Sequence, residues 1–253
     1  MRAGGNSDGV VSSVSEISYE GTDLESMSFA LNYHRWILEL FAPYMGSRLV
    51  EVGAGTGSFS ELILERNPES LTLVEPSREM YPILEGRARG WAARADVETR
   101  NSVFADVADE VSAGRRPDSI IYVNVLEHVH DDEAELRAVG RALGEGGRVF
   151  IFVPAFQWLY GGFDRRVAHV RRYTRPELEG KCAAAGFKVI KSVYLDFAGI
   201  APWWVKFRLL KSDSLEPGLV KLYDRCVIPL LKVAERIVPP PLGKNILLVA
   251  EKG

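Results

Sequence analysis

The stretch Leu49-Val-Glu-Val-Gly-Ala-Gly-Thr-Gly-Ser-Phe-Ser60 decides the fold. An apolar strand runs directly into Gly53, Gly55 and Gly57, and a helical pattern follows. Glycines at that junction permit a tight turn and let a ligand approach the bare backbone. Their spacing is Gly-x-Gly-x-Gly, which differs from the Gly-x-Gly-x-x-Gly of dinucleotide enzymes. Glu51 stands two residues before the first glycine and points into the same turn.

Outward from this loop, short apolar runs alternate with helical periodicity. Strands are predicted at 48–52, 71–74, 97–100, 119–125, 148–153, 188–195 and 245–250. Helices are predicted at 58–66, 78–87, 104–113, 132–143 and 176–185, with one more at 23–42 ahead of the first strand. Such alternation argues for a doubly wound α/β sheet. The runs at 49–52, 120–125 and 149–153 are almost continuously apolar, as parallel strands covered on both faces should be. In sheets of this kind ligands bind beyond the carboxyl ends of the strands, near the point where strand order reverses.

Two further strand ends carry polar residues. Leu71-Thr-Leu-Val-Glu-Pro-Ser77 brings an acid to the end of the second strand, 18 residues after Gly57, where it suits a pair of ribose hydroxyls. Ile120-Ile-Tyr-Val-Asn-Val-Leu-Glu-His-Val129 ends the fourth strand in Asn124 and Glu127-His128. Together with Gly146-Gly-Arg-Val-Phe-Ile-Phe-Val-Pro154, these segments resemble the motifs of the class I S-adenosylmethionine-dependent methyltransferases over roughly residues 30–195. The resemblance implies seven strands, six parallel and the last antiparallel. The Gly-, Ser- and Asn-rich start and the long, helically patterned connection before the last strand divide the chain into a tail at 1–22, a core at 23–196 and 245–253, and a helical insertion at 197–244.

The resemblance also implies a cofactor, S-adenosyl-L-methionine. By position, Glu51, Gly53, Ala54, Gly55 and Gly57 would hold its methionine part, Glu75 with Pro76 its ribose, and Asn124 and Val125 would line the methionine side. Ser102 and Val103, after Asn101, would flank the adenine, although relatives often have Asp where Ser102 stands. Tyr33 would close the pocket from the N-terminal helix.

Methyl transfer needs alignment and, for some nucleophiles, a base. His34, His128, His130 and His169 are the only histidines. His169 lies in Trp158-Leu-Tyr-Gly-Gly-Phe-Asp-Arg-Arg-Val-Ala-His-Val-Arg-Arg-Tyr173, a long connection leaving the carboxyl edge of the sheet and therefore expected to roof the pocket. The segment is similar to a Tyr-Gly-x-x-Asp-x-x-x-x-His-x-Arg-Arg-Tyr element of a bacterial methyltransferase subgroup linked to glycan, lipid-carrier and natural-product pathways. Candidate catalytic residues are His169, an Asp164 that could orient it, and His128. Tyr160, Arg171, Arg172 and Tyr173 are candidates for an anionic acceptor; the competing reading is an ion-paired structural loop.

Composition narrows the class. A net charge of −3 over 253 residues gives no basic field for nucleic acid. Two cysteines, Cys182 and Cys226, exclude a disulfide scaffold, and no metal-ligand pattern is legible, so no metal is expected. With neither an export signal nor a continuous apolar span, the expectation is a cytoplasmic protein. The insertion complicates that. Residues 196–253 hold nine Lys and Arg against six Asp and Glu, and an apolar stripe runs over Val220–Val238. The stripe suits either a helical cap or homodimer contact, or a peripheral contact of 200–238 with the inner membrane face, the former weighing more. The sequence reading is thus a methyltransferase for a small-molecule, glycan or lipid-linked acceptor by O- or N-methylation. A nicotinamide oxidoreductase and a non-catalytic S-adenosylmethionine-binding protein are the alternatives.

Overall fold

The computed structural model describes residues 30–114 and 116–253. The expected tail and the first turns of the 23–42 helix lie outside the described residues, and the helix itself, α1, runs Leu31–Phe41. The order that follows is β1 (Arg48–Val52), α2 (Ser58–Leu64), β2 (Ser70–Val74), α3 (Tyr81–Trp91), β3 (Asp96–Arg100), α4 (Phe104–Ala113), β4 (Ser119–Val123) and α5 (Asp132–Ala142). Next come β5 (Arg148–Pro154), α6 (Gly162–Arg166), α7 (Arg175–Ala184), β6 (Phe187–Leu195), α8 (Ile200–Trp204), α9 (Pro217–Cys226), α10 (Ile228–Ile237) and β7 (Asn245–Lys252).

The seven strands form one sheet ordered β3-β2-β1-β4-β5-β7-β6. Pairs among β1–β5 are parallel, and β7 inserts antiparallel between β5 and β6. Period-2 alternation covers both faces. Val50, Ile120, Tyr122, Val149 and Ile151 pack on one side with Phe104 of α4 and Leu136 and Val139 of α5. Leu49, Leu71, Leu73, Ile121, Phe150 and Phe152 pack on the other with Ile37 and Phe41 of α1 and Ile63 of α2. Strand order reverses between β1 and β4, so the crevice of a doubly wound sheet opens above that pair. Because β7 runs antiparallel, residues 197–244 leave β6 and enter β7 at that same carboxyl edge. Among the described residues no helix is long and apolar enough to cross a membrane.

The stripe expected over Val220–Val238 is carried by two helices. Pro229, in the first turn of α10, has no N–H to continue α9, and the chain breaks at Val227. Ile228, Val220, Tyr223 and Leu231 pack on the core, yet most of the stripe is turned outward, unlike a cap whose stripe is buried. Asp224 and Glu235 point inward, while Leu222, Leu230 and Ile237 are 60%, 74% and 75% exposed. The inward acids are committed to backbone. Asp224 accepts the N–H groups of Asn32 (3.1 Å) and Tyr33 (2.8 Å), capping α1, which has no cap of its own. Glu235 accepts those of Asp196 (3.1 Å) and Phe197 (2.9 Å) at the end of β6.

Candidate active site

The glycine loop is built at the end of β1. Gly53, Gly55 and Gly57 have φ of 69°, 58° and 86°, a region that other L-residues rarely adopt. Gly53 and Gly57 are required by packing as well. A Cβ on Gly53 would stand 2.4 Å from Val125 Cγ2, and one on Gly57 would stand 2.6 Å from Trp91. Gly55 differs: a Cβ there would meet nothing nearer than Met80 Sδ at 3.9 Å, so its φ demands glycine and its packing does not. The loop is bare backbone at the carboxyl end of β1 beside the switch point, the place where doubly wound sheets bind ligands.

Glu75, at the end of β2, is 4% exposed. Its two carboxylate oxygens accept the N–H groups of Gly55 (2.7 Å) and Ser77 (2.8 Å), so it ties the glycine loop to the second strand. Each oxygen keeps a second lone pair, enough for two ribose hydroxyls. The neighbouring Ser77, and not Glu75, caps the turn that leads into α3, accepting from Glu79 and Met80. Burial raises the Glu75 carboxyl pKa, opposed by those two N–H groups. Glu51 is more extreme. Burial pushes its carboxyl up to about 8 although Ser60 Oγ donates to it at 2.5 Å. Ser102 and the 40%-exposed Val103 follow the end of β3 on the same edge, where Asn101 Nδ2 bonds the Glu75 carbonyl at 2.8 Å.

The end of β4 joins this loop. Asn124 holds φ 55°, unusual for a residue with a Cβ, and its N–H donates to Phe152 O at 2.8 Å. Val125 lies against Gly53, and a single 3₁₀ turn, Leu126–His128, follows. The roof loop descends onto that turn through a bond from Val170 N to Glu127 O at 2.9 Å. Asp164 and His169 do pair, Oδ1 to Nδ1, at 2.9 Å. Arg172 grips both Asp164 oxygens, at 2.7 and 3.1 Å, and lies 4.9 Å under Trp203. Burial opposes the Asp164 charge, but bonds from His169, Arg172 and the Gly161 N–H outweigh it and hold the carboxyl below its usual range. His128 stands edge-on to His169 at 4.7 Å, and burial, then His169, push it down to about 3.

Four sequence expectations change here. Arg171, Arg172 and Tyr173 are the ion-paired structural loop, not an anion cradle. Arg171 is spent on Asp132 (2.9 Å) and His130 O (2.6 Å), Arg172 on Asp164, and the fully buried Tyr173 on Asp132 (2.8 Å) and Leu126 O (3.2 Å). Asp132 and Asp164 neutralise these cations; Asp164 lies in the same loop, whereas Asp132 is 39 residues from Arg171 and could not be read from spacing. Tyr33 is a core residue. Its hydroxyl donates to Asp196 and accepts from Asn245, and its ring packs edge-on to Phe152 at 5.8 Å. Tyr160 remains half-exposed at the roof, its hydroxyl on His169 O at 2.7 Å.

Three acids were missed. Asp132 is one hub; Asp196, which takes Tyr33, Tyr223, Gly199 N and Lys244, is another. The third is Glu127, fully buried beneath the two histidines with neither carboxylate oxygen hydrogen-bonded. Only its place before His128 at a strand end signalled it.

Residues 28–192 match the family described as "Methyltransferase domain". The chain is 31% identical over 119 residues to a ubiquinone biosynthesis O-methyltransferase of Aeromonas salmonicida, covering 46% of this chain and 47% of that protein. A namesake from Azorhizobium caulinodans is 26% identical over 64% of this chain and 67% of its own length. The chain thus spans about half the length of the first of these relatives. Among solved structures it is similar to an S-adenosylmethionine-dependent methyltransferase from Archaeoglobus fulgidus, with a TM-score of 0.58 at 17% identity, over 89% of this chain and 94% of that one. It is also similar to the N-methyltransferase NodS of Bradyrhizobium japonicum, solved with S-adenosyl-L-homocysteine, with a TM-score of 0.56 at 13% identity, over 88% and 87%. At such identities the shared property is the fold.

Proposed function

Since the chain belongs to the S-adenosylmethionine-dependent methyltransferase family, we propose that it moves the cofactor's methyl group to an oxygen or nitrogen of a small or lipid-linked acceptor. The observation that carries this reading is the Gly55 backbone, tied to Glu75 at 2.7 Å at the switch point and with room beside it for more than a hydrogen atom. Gly53–Gly57 would hold the methionine part, Glu75 the ribose, Ser102 and Val103 the adenine edge, and Asn124 and Val125 the side nearest the methyl. When bound, the cofactor supplies an electrophilic methyl on a sulfonium, which leaves with its bonding pair retained by sulfur. The chain's own work is to exclude water, align the acceptor and deal with its proton. With Nδ1 of His169 held by Asp164, Nε2 is the atom left to serve the acceptor as a base.

The acceptor class is inferred from two features. The names of the ubiquinone-pathway relatives favour an oxygen nucleophile. The exposed apolar residues of α9 and α10, interleaved with Lys221, Arg225 and Arg236, favour an acceptor presented at an anionic membrane surface. Two variants test the core of the proposal by calorimetry and single-turnover transfer. Gly55→Val puts a side chain into the crevice and is expected to abolish S-adenosylmethionine binding; normal affinity would refute the site. His169→Ala is expected to keep cofactor affinity and lose ~10²–10⁴ in turnover, the usual cost of removing a general base. Cofactor binding with no transfer to any phenolic or amine acceptor would favour the non-catalytic reading.

A further inference from the structure

Glu127, His128 and His169 converge at one point, each offering a ligand atom within 4.8 Å of the others. Glu127 Oε1 is already 3.7 Å from His169 Nε2. Ligands around a tetrahedral ion held at about 2.1 Å stand about 3.4 Å apart, so small side-chain rotations close the set. Two features favour a cation here over a structural cluster. Glu127 is fully buried, and both its oxygens lack a hydrogen-bond donor. A buried carboxylate without donors is costly, and either a proton or a cation removes that cost. Both imidazoles also have an outer partner: His169 Nδ1 faces Asp164, and His128 bonds the backbone carbonyl of Ala168. Metal-bound histidines usually carry their second nitrogen in this way, on a carboxylate or a carbonyl. Ala168 itself holds φ 58°, an uncommon conformation for a residue with a Cβ.

We propose that Glu127, His128 and His169 bind one divalent transition-metal ion, with an open coordination position for an acceptor hydroxyl. Two imidazoles and one carboxylate suit zinc, iron(II) or manganese(II) better than magnesium or calcium, which take oxygen-only shells. The inference goes beyond the methyl-transfer reading and needs it only for its consequence. In the loaded protein the His169 Nε2 lone pair would be a ligand, and the ion would favour ionisation of a bound acceptor hydroxyl, its proton released to solvent as the acceptor binds. In the metal-free protein that lone pair is free to act as a base. Sequence reading overlooks the set because Glu127-His128 and His169 lie about forty residues apart, in two different connections.

The untagged full chain, stripped with chelator, is titrated with Co²⁺ and Zn²⁺ in the absence of cofactor and acceptor. The expected result is one equivalent bound per chain, with the visible absorption of a low-symmetry Co²⁺ site. Glu127→Gln, which keeps the side-chain shape, is expected to weaken binding at least tenfold, as is His128→Ala. Its folding is checked by its melting temperature without metal, which should match or exceed wild type because a buried carboxylate is gone. His130→Ala, at the exposed neighbouring position, is expected to bind normally. No stoichiometric binding, or unchanged affinity in Glu127→Gln, overturns the proposal and leaves His169 as a base. Failure of cofactor binding overturns the methyltransferase reading without touching the titration.

Discussion

Buried at the head of the glycine loop, Glu51 retains a proton that a surface glutamate would have lost. Burial is the larger influence; the Ser60 hydroxyl pulls the other way, and Glu75 adds repulsion. The sign follows from proton counting. With a folded value of about 8 against an ordinary 4.5, the native chain binds more protons than the unfolded chain between those limits. The contribution of Glu51 is therefore fully present below about pH 4.5 and is lost as pH rises through about 8. Glu51→Gln keeps an oxygen for Ser60 and cannot ionise. Its melting temperature relative to wild type is expected to rise from about pH 5 to about pH 9, by about 2–4 °C for each kcal/mol relieved in a chain of this length. A difference that stays flat across that range would show that the Glu51 carboxyl is ionised throughout.

At the scale of elements, the roof is a joint between two connections that the sequence treats as separate. Phe163 and Val167 of the 155–173 loop pack with Phe207 of the insertion, and Trp203 covers the Arg172 guanidinium. Two glycines permit this approach. A Cβ on Gly161 would stand 2.7 Å from Phe207 O, and one on Gly162 would stand 2.6 Å from Ser212 O. Gly161→Ala is expected to part the two segments, lower stability by about 1–3 kcal/mol and speed proteolysis within 197–244, with cofactor affinity unchanged. Equal protease resistance would mean that the joint is soft. The joint also marks where the sequence stops being legible. The strands could be read because β1, β4 and β5 are apolar on both faces, and the glycine loop because backbone conformation there demands its residues. Helix ends shifted where a local bond intervened; α3 begins at Tyr81, three residues later than expected, because Ser77 first closes a turn. The insertion resisted reading for a different reason. Apolar periodicity says that a helix has two faces, but not which one the protein covers. Asp224 and Glu235 turned inward because α1 and the end of β6 needed acceptors for bare N–H groups.

That inversion changes the outward character of the whole molecule. Of the four acids that dilute the positive side of the insertion, Asp213 and Glu216 stay exposed, whereas Asp224 and Glu235 are buried and committed to backbone. What faces out on α9, α10 and the residue after them is Leu219, Leu222, Leu230, Val233, Ile237 and Val238, with Lys221, Arg225 and Arg236 exposed on the same helices; Leu209 and Leu210, earlier in the insertion, are exposed too. The insertion arises at the carboxyl edge of the sheet, the edge that also carries the glycine loop and the roof. A surface docked there would deliver a lipid-linked acceptor to the crevice side of the protein. Apolar residues next to cations are the composition of helices that lie in an anionic membrane interface. Co-sedimentation with anionic vesicles is expected at low salt, weakening as the Debye length falls from about 30 Å at 0.01 M to about 8 Å at 0.15 M. Leu230 and Ile237 would each contribute about 1.5–3 kcal/mol by burial. Their joint replacement by Asp is therefore expected to reduce vesicle binding more than tenfold, while the far side of α9 and α10 keeps its backbone contacts. The homodimer reading makes the opposite forecast. It requires a dimer by sedimentation equilibrium that the same double variant splits, with the wild type ignoring vesicles at every salt concentration. Measuring both properties on both proteins separates the two, because a face already buried against its own copy has no apolar surface left for lipid.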